Sequence, residues 1–224
     1  MKRGAINMNY QTAFETYCLA ADSNNAIKMS KYMRDLFPFL GIPTPKRREL
    51  SKEFLNHTKN DATIDWIFID ECWKKEREFQ YLALDYLNVH TKRLTPDDIP
   101  RLKKLATTKS WWDTIDCLDR IIGGIALNFP EVNDILLEWS TDDNFWLRRI
   151  AIDHQLLRKE KTNTALLEQI IVNNLGQTEF FINKTIGWSL REYSKTSPDW
   201  VREFLARYKD KMANLSIREA STYV

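Results

Sequence analysis

The sequence predicts an all-α protein, a curved α-α superhelix built from HEAT-like helical pairs. Three observations carry this. Apolar residues recur at three- and four-residue spacing, as in Phe79-Leu82-Tyr86 and Ile121-Ile122-Ile125, and no strand-like alternation of useful length occurs. Only 6 glycines and 7 prolines occur in 224 residues, too few for the many tight turns of an all-β fold. Third, an aliphatic residue followed by a small one recurs within the helical stretches: Leu82-Ala83, Ile122-Gly123, Ile150-Ala151 and Ile186-Gly187. The small members lie 40, 28 and 36 residues apart, which brackets the period of helical-pair repeats. A small residue there lets a neighbouring helix approach closely, although such pairs also occur in irregular bundles.

The helices are bounded by clusters of capping and breaking residues. These fall at Gly41 to Pro45, Thr95 to Pro100, Asn128 to Pro130, Ser140 to Asp143, Lys159 to Thr164, Gly176 to Glu179, and Thr196 to Pro198. The breaks are short, so successive helices should run antiparallel. No long linker separates them, and a single repeat domain over 1–224 is expected.

A hydrophobic content of 43% provides for a real core. With 33 basic and 31 acidic residues the net charge is only +2, so any nucleic-acid surface must come from local clustering. Cys18, Cys72 and Cys117 are isolated, which points away from a disulfide framework or zinc site and toward a reducing, cytoplasmic compartment. Residues 1–5 carry charge with no long apolar run behind them, so neither a secretory leader nor a membrane span is expected. No P-loop, dinucleotide fingerprint, nucleophile elbow or H-E-x-x-H pattern occurs. His57, His90 and His154 are not spaced as metal ligands and read as surface or packing residues; neither a metal nor a cofactor is expected.

The densest chemistry lies in Ser110-Trp111-Trp112-Asp113-Thr114-Ile115-Asp116. Ser110 and Asp113 fit a capping box, with Ser110 as N-cap. Asp116 has no capping role; it could pair with Arg120, four residues on, or serve a site. Trp112 and Asp116 share one helical face, and two adjacent tryptophans cannot both point inward. Large aromatics more often fill cores, the expected role of Trp66, Trp73, Trp139 and Trp200. Basic residues sit beside other aromatics: Arg148-Arg149 after Trp146, and Lys184, Arg191 and Lys195 on the segment of Trp188. Lys46-Arg47-Arg48 follows Pro45. Such runs are usually solvated faces, but their recurrence beside aromatic rings suits phosphate binding.

These motifs resemble, in order, the AlkD family of DNA alkylation-repair glycosylases, which are HEAT-like repeat proteins. The resemblance runs through Lys31-Tyr32-Met33, Phe39 to Arg48, Ser110 to Asp116, Trp146 to Ala151, Glu179 to Tyr193, and Ser216-Ile217-Arg218-Glu219-Ala220, essentially the whole chain. It implies excision of cationic N3- and N7-alkylpurines, such as 3-methyladenine and 7-methylguanine, from double-stranded DNA by a monomer. It assigns Asp116, Trp112 and Trp188 to catalysis. Tyr32 maps to a further cleft aromatic; Arg47, Arg148, Arg149, Lys184 and Arg191 are candidate DNA contacts. Pro43 stands where some members carry a polar residue such as Gln. The competing reading is a non-catalytic helical-repeat module that binds DNA structures, RNA or a protein partner. Such a scaffold has no use for a carboxylate facing phosphates.

Overall fold

The computed structural model describes residues 10–224, and among them the regular structure is helical throughout, with no strand. The leader reading of residues 1–5 falls outside the described residues. The chain divides into two compact units, one ending at Arg93 and the other spanning Leu94–Val224. None of the described helices is long and apolar enough to cross a membrane.

The first unit contains α1 (Tyr10–Leu19), α2 (Ser23–Tyr32), α3 (Thr44–Thr58), α4 (Trp66–Lys74) and α5 (Arg77–Val89). Its core is aromatic. Phe14, Phe54 and Tyr86 close around Phe68, with ring centroids 6.0, 5.1 and 5.1 Å away, and Phe14 meets Phe79 edge-on at 4.9 Å. The loop before α3 is organised by one buried carboxylate. Glu78 accepts the backbone N–H groups of Leu40, Gly41 and Ile42 at 2.9, 2.8 and 3.1 Å, satisfying donors that no helix could use. Gly41 has φ of +90°, and a Cβ there would stand 2.0 Å from the Asp22 carbonyl oxygen, so only glycine fits. Pro43 ends this loop as the N-cap of α3, where its carbonyl accepts from the Arg47 N–H at 2.9 Å.

The second unit contains α6 (Ile99–Ala106), α7 (Trp112–Asn128), α8 (Val132–Trp139), α9 (Phe145–Asp153), α10 (Thr164–Val172), α11 (Phe180–Ser194), α12 (Pro198–Tyr208) and α13 (Asn214–Ala220). Alternate helices α7, α9, α11 and α13 pack side by side in chain order, while α6, α8 and α12 pack on α7, α9 and α11 respectively. The helix ends follow the expected breaks. Asn144, Asn163 and Glu179 cap α9, α10 and α11 through side chains that accept from Trp146, Leu166 and Phe181 N–H groups.

The aliphatic-small series falls on α5, α7, α9 and α11, and every member is buried. Within the second unit the glycines act as expected. A Cβ on Gly123 would lie 2.1 Å from the His154 carbonyl oxygen, and one on Gly187 would lie 2.6 Å from the Glu219 Cβ and 3.2 Å from the Ser216 Cα. Gly123 therefore sets how closely α7 meets the end of α9, and Gly187 how closely α11 meets α13.

The capping box at Ser110 does not form. The Ser110 hydroxyl turns back to donate to the Ala106 carbonyl at 2.6 Å, closing the end of α6. The extended Trp111 is the residue that enters α7, without a side-chain cap. Of the four tryptophans expected in the core, Trp73 and Trp139 are buried, whereas Trp66 and Trp200 are half-buried. Two of the three histidines, His90 and His154, are buried, and His57 is exposed.

Candidate active site

The site is assembled from successive helices of the second unit. Asp116 lies in the second turn of α7, one turn beyond Trp112, so the two share the face inferred from their spacing. Arg149 lies on α9, with its side chain only 1% exposed. Its Nε and Nη2 donate to the same oxygen of Asp116, Oδ1, at 3.0 and 2.8 Å. Its Nη1 donates to the Phe181 carbonyl at the start of α11, at 2.8 Å. One buried guanidinium thus ties three helices together and uses all three nitrogens to do so.

Asp116 keeps 24% of its side chain exposed. Burial raises its pKa from the usual value, against the lowering effect of Arg149 and, more weakly, Arg120. Arginine stays charged throughout the working range. Two charge-assisted hydrogen bonds from it make the carboxylate the favoured form at neutral pH. Of the two readings of Asp116, the pairing with Arg120 gives way to a partner 33 residues away, and Arg120 acts on Asp116 through its charge.

Aromatic rings surround this pair. The Arg149 guanidinium lies 5.6 Å from the Trp188 ring and 6.0 Å from that of Phe181. Lys184, one turn before Trp188 on α11, places its Nζ 4.9 Å from the Trp188 ring and 5.6 Å from Phe180. Trp188 is thus an electron-rich plane already holding two cations. Trp111 makes edge contacts with Trp146 at 5.8 Å and Phe181 at 5.2 Å, and Trp146 meets Phe181 at 4.9 Å. The two adjacent tryptophans are both half-buried, and only one of them belongs to the helix. Trp111 is extended and precedes the helix, whereas Trp112 is its first residue.

The structure separates the candidate phosphate ligands into two kinds. Arg149 is buried, with each of its three nitrogens donating to Asp116 or Phe181. Arg47 is likewise buried in the first unit, paired with Asp85 and 5.1 Å over the Tyr81 ring. In the interior a fixed charge needs a fixed partner, which accounts for both pairings. Arg191 is partly exposed but pairs with Glu219 of α13 at 2.5 Å, clamping two helices. By contrast, Arg148 is only half-buried, although its Nε lies inside and has no hydrogen-bond partner. Lys184 is half-buried beside Trp188, and Tyr32, at the end of α2 in the first unit, is 72% exposed. The reading of residues from spacing missed Glu78, Phe181, Asp119 and Asp153. Asp119 and Asp153 are buried carboxyls on the Asp116 and Arg149 helices, and their signal was an acid in an otherwise apolar helical face. Among the described residues, no cluster of three or more His, Cys, Asp or Glu side chains is arranged to hold a metal ion.

Residues 15–224 match the family described as DNA alkylation repair enzyme. A solved structure described as a predicted DNA alkylation repair enzyme from Enterococcus faecalis superposes with a TM-score of 0.83 at 35% sequence identity. The match covers 91% of this chain and 96% of that one. A search of curated proteins finds no match.

Proposed function

Because the chain belongs to the DNA alkylation repair enzyme family, we propose that it is a DNA glycosylase. Its substrates are cationic N3- and N7-alkylpurines, 3-methyladenine and 7-methylguanine, in duplex DNA, and its scaffold is a HEAT-like repeat. The observation that carries this is Asp116: a carboxylate with no capping role, partly open to solvent, and held at one oxygen by a buried arginine.

An alkylated purine already bears a positive charge. When its bond to C1′ of the sugar breaks, the electron pair leaves with the base, which becomes neutral and needs no protonation. Positive charge develops instead on the sugar, as an oxocarbenium-like centre. Arg149 occupies Asp116 Oδ1, so Oδ2 is the oxygen left to face that centre. A preorganised carboxylate at the point where charge develops lowers the barrier electrostatically. Water then adds to C1′ and loses a proton, which the same carboxylate is able to accept. Trp112 on the Asp116 face and Trp188 beside Arg149 add aromatic planes suited to a cationic base and sugar. An unmodified purine is neutral, gains less from such a site, and is a poor leaving group, so selectivity follows lesion charge.

Tyr32, Arg148, Lys184 and Arg191 are the residues assigned to the DNA itself, Arg191 through the part of its side chain left exposed by its pairing with Glu219. Arg149 takes the role of orienting the carboxylate, and Arg47 that of a structural cation.

Incubation with a duplex carrying a single 7-methylguanine tests the reading. Release of the intact methylated base, leaving an alkali-labile abasic strand, is the expected outcome. Repair that instead leaves guanine in the strand would identify direct dealkylation. Tight duplex binding with no base release would identify a non-catalytic module.

A further inference from the structure

Two more carboxyl groups lie on the helices that carry the Asp116–Arg149 pair. Asp119 follows Asp116 by three residues on α7, and Asp153 follows Arg149 by four on α9. Both are buried, at 1% exposure. The Thr185 hydroxyl of α11 donates to Asp153 Oδ2. Oδ1 of Asp153 and Oδ1 of Asp119 are buried without any hydrogen-bond partner. A bare carboxylate oxygen in an interior is strongly unfavourable, and two neighbouring carboxylates do not both ionise there.

The surroundings offer no further compensation. The charged groups acting on the pair are Asp116 and Arg120 from α7 and Arg149 from α9. From α11 the polar contact is the Thr185 hydroxyl. Helices α6, α8 and α10 pack here through apolar residues such as Leu105, Leu136 and Ile170, while Arg101, Lys104, Asp134 and Glu138 are exposed, and Lys103 and Glu168 are half-buried and paired with Asp142 and Arg207. His154, capping the end of α9, adds no charge, because burial pushes its pKa down to about 3. Arg149 directs an N–H from each of its three nitrogens to Asp116 or Phe181, and neither bare carboxylate oxygen has a hydrogen-bond partner. Burial, and then the charge of Asp153, raises the Asp119 pKa well above the usual value; burial raises that of Asp153 to about 7.

We propose that Asp119 and Asp153 share one proton between their unpartnered oxygens and act as positioning residues, holding a single negative charge so that Arg149 stays committed to Asp116. The shared proton gives each bare oxygen a partner. Its loss places a second negative charge beside Arg149, which then competes with Asp116 for the guanidinium. The proton sharing does not depend on the proposed function; the effect on excision rests on the reading of Asp116 as the catalytic carboxylate.

Two measurements on the full chain separate these parts. Infrared spectra in D₂O from about pH 6 to about pH 9, where exposed carboxyls are ionised, should show a protonated-carboxyl band in the wild type that fades toward alkaline pH. The band should be absent from Asp119→Asn and from Asp153→Asn, because the amide can donate to the remaining carboxylate. A wild type without the band, or a single variant that keeps it, overturns the shared proton; if one variant does not fold, the wild type and the other variant decide. Single-turnover excision over the same range should fall about tenfold on the alkaline side in the wild type, the effect of about 1.4 kcal/mol, and stay level in both Asn variants. An equal alkaline fall in the variants, or a loss independent of pH, overturns the positioning role. A wild type that excises nothing contradicts the functional reading, and the infrared result still decides whether the proton is shared.

Discussion

Arg149 grips Asp116 by one oxygen only: its Nε and Nη2 both donate to Oδ1, at 3.0 and 2.8 Å. This differs from the fork-to-fork pairing usual between arginine and carboxylate, in which both oxygens are taken. With its third donor on the Phe181 carbonyl, Arg149 fixes the orientation of Asp116 relative to α9 and α11 while leaving Oδ2 outside the pair. A buried charge that served only stability could be replaced by apolar packing with little loss. Its use here is better explained by what it holds in place.

Arg149→Ala should therefore damage folding as well as function. Removing one partner of a buried pair leaves the other uncompensated, which typically costs about 3–5 kcal/mol. Denaturant unfolding of the variant measures this. A loss below about 1 kcal/mol, the range of a surface pair, would return Arg149 to the list of solvent-facing cations.

Arg148→Ala should behave differently. Its side chain is half-buried rather than interior, so the truncation should leave the fold intact and weaken duplex binding. The dependence of affinity on salt should become shallower by about one unit, as for a single lost phosphate contact. Binding titrations at several salt concentrations give the slope, and an unchanged slope would remove Arg148 from the phosphate contacts.

The acid side of the rate profile should report Asp116. Burial raises its pKa and the nearby Asp113 raises it further, so activity should be lost, as pH falls, earlier than for an exposed aspartate. Asp113→Asn should move that acid limb to lower pH. A limb that stays in place, or moves up, would mean that another group controls it.

Stability should also fall on the acid side through His154. Its pKa is lowered from 6.5 to about 3 by burial, so the unfolded chain binds the proton more readily than the folded one. The stability is present above about pH 6.5 and is lost as pH falls toward 3. Thermal unfolding of His154→Gln should depend less on pH across this window than the wild type, and identical dependence would contradict the assignment.

Much of this arrangement was legible in the sequence because helical spacing is short-range. The breaks, the face shared by Trp112 and Asp116, and the close approaches at Gly123 and Gly187 all follow from residues a few positions apart. The direction of each charged side chain across the helix stack does not. Nothing in the spacing of Arg148 and Arg149 says which one turns inward; the rotation of α9 against α7 decides it. Ser110 misled for a related reason: its hydroxyl could serve the helix before it or the one after, and Ala106 offered the nearer acceptor. Asp119 and Asp153 went unread because an acid on an apolar face has meaning only once its buried neighbours are known.

The central claim is that Asp116 is the carboxylate that stabilises the departing sugar, and single-turnover excision of 7-methylguanine from duplex DNA by Asp116→Asn and Asp113→Asn tests it most directly. Asn preserves the size of the side chain and removes its charge. Asp116→Asn should lose about a hundred- to thousandfold in rate, as when one preorganised electrostatic group is removed. Its amide oxygen still accepts from Arg149, but the buried guanidinium loses its counter-charge, so stability falls and the rate is read on variant protein shown to be folded at the assay temperature. The loss should be smaller for 3-methyladenine, which leaves more readily. Asp113, in the first turn of α7, interacts with the helix N-terminus, so its variant should lose a little stability and little rate. A wild-type rate in Asp116→Asn, or a dead Asp113→Asn beside an active Asp116→Asn, would contradict the account.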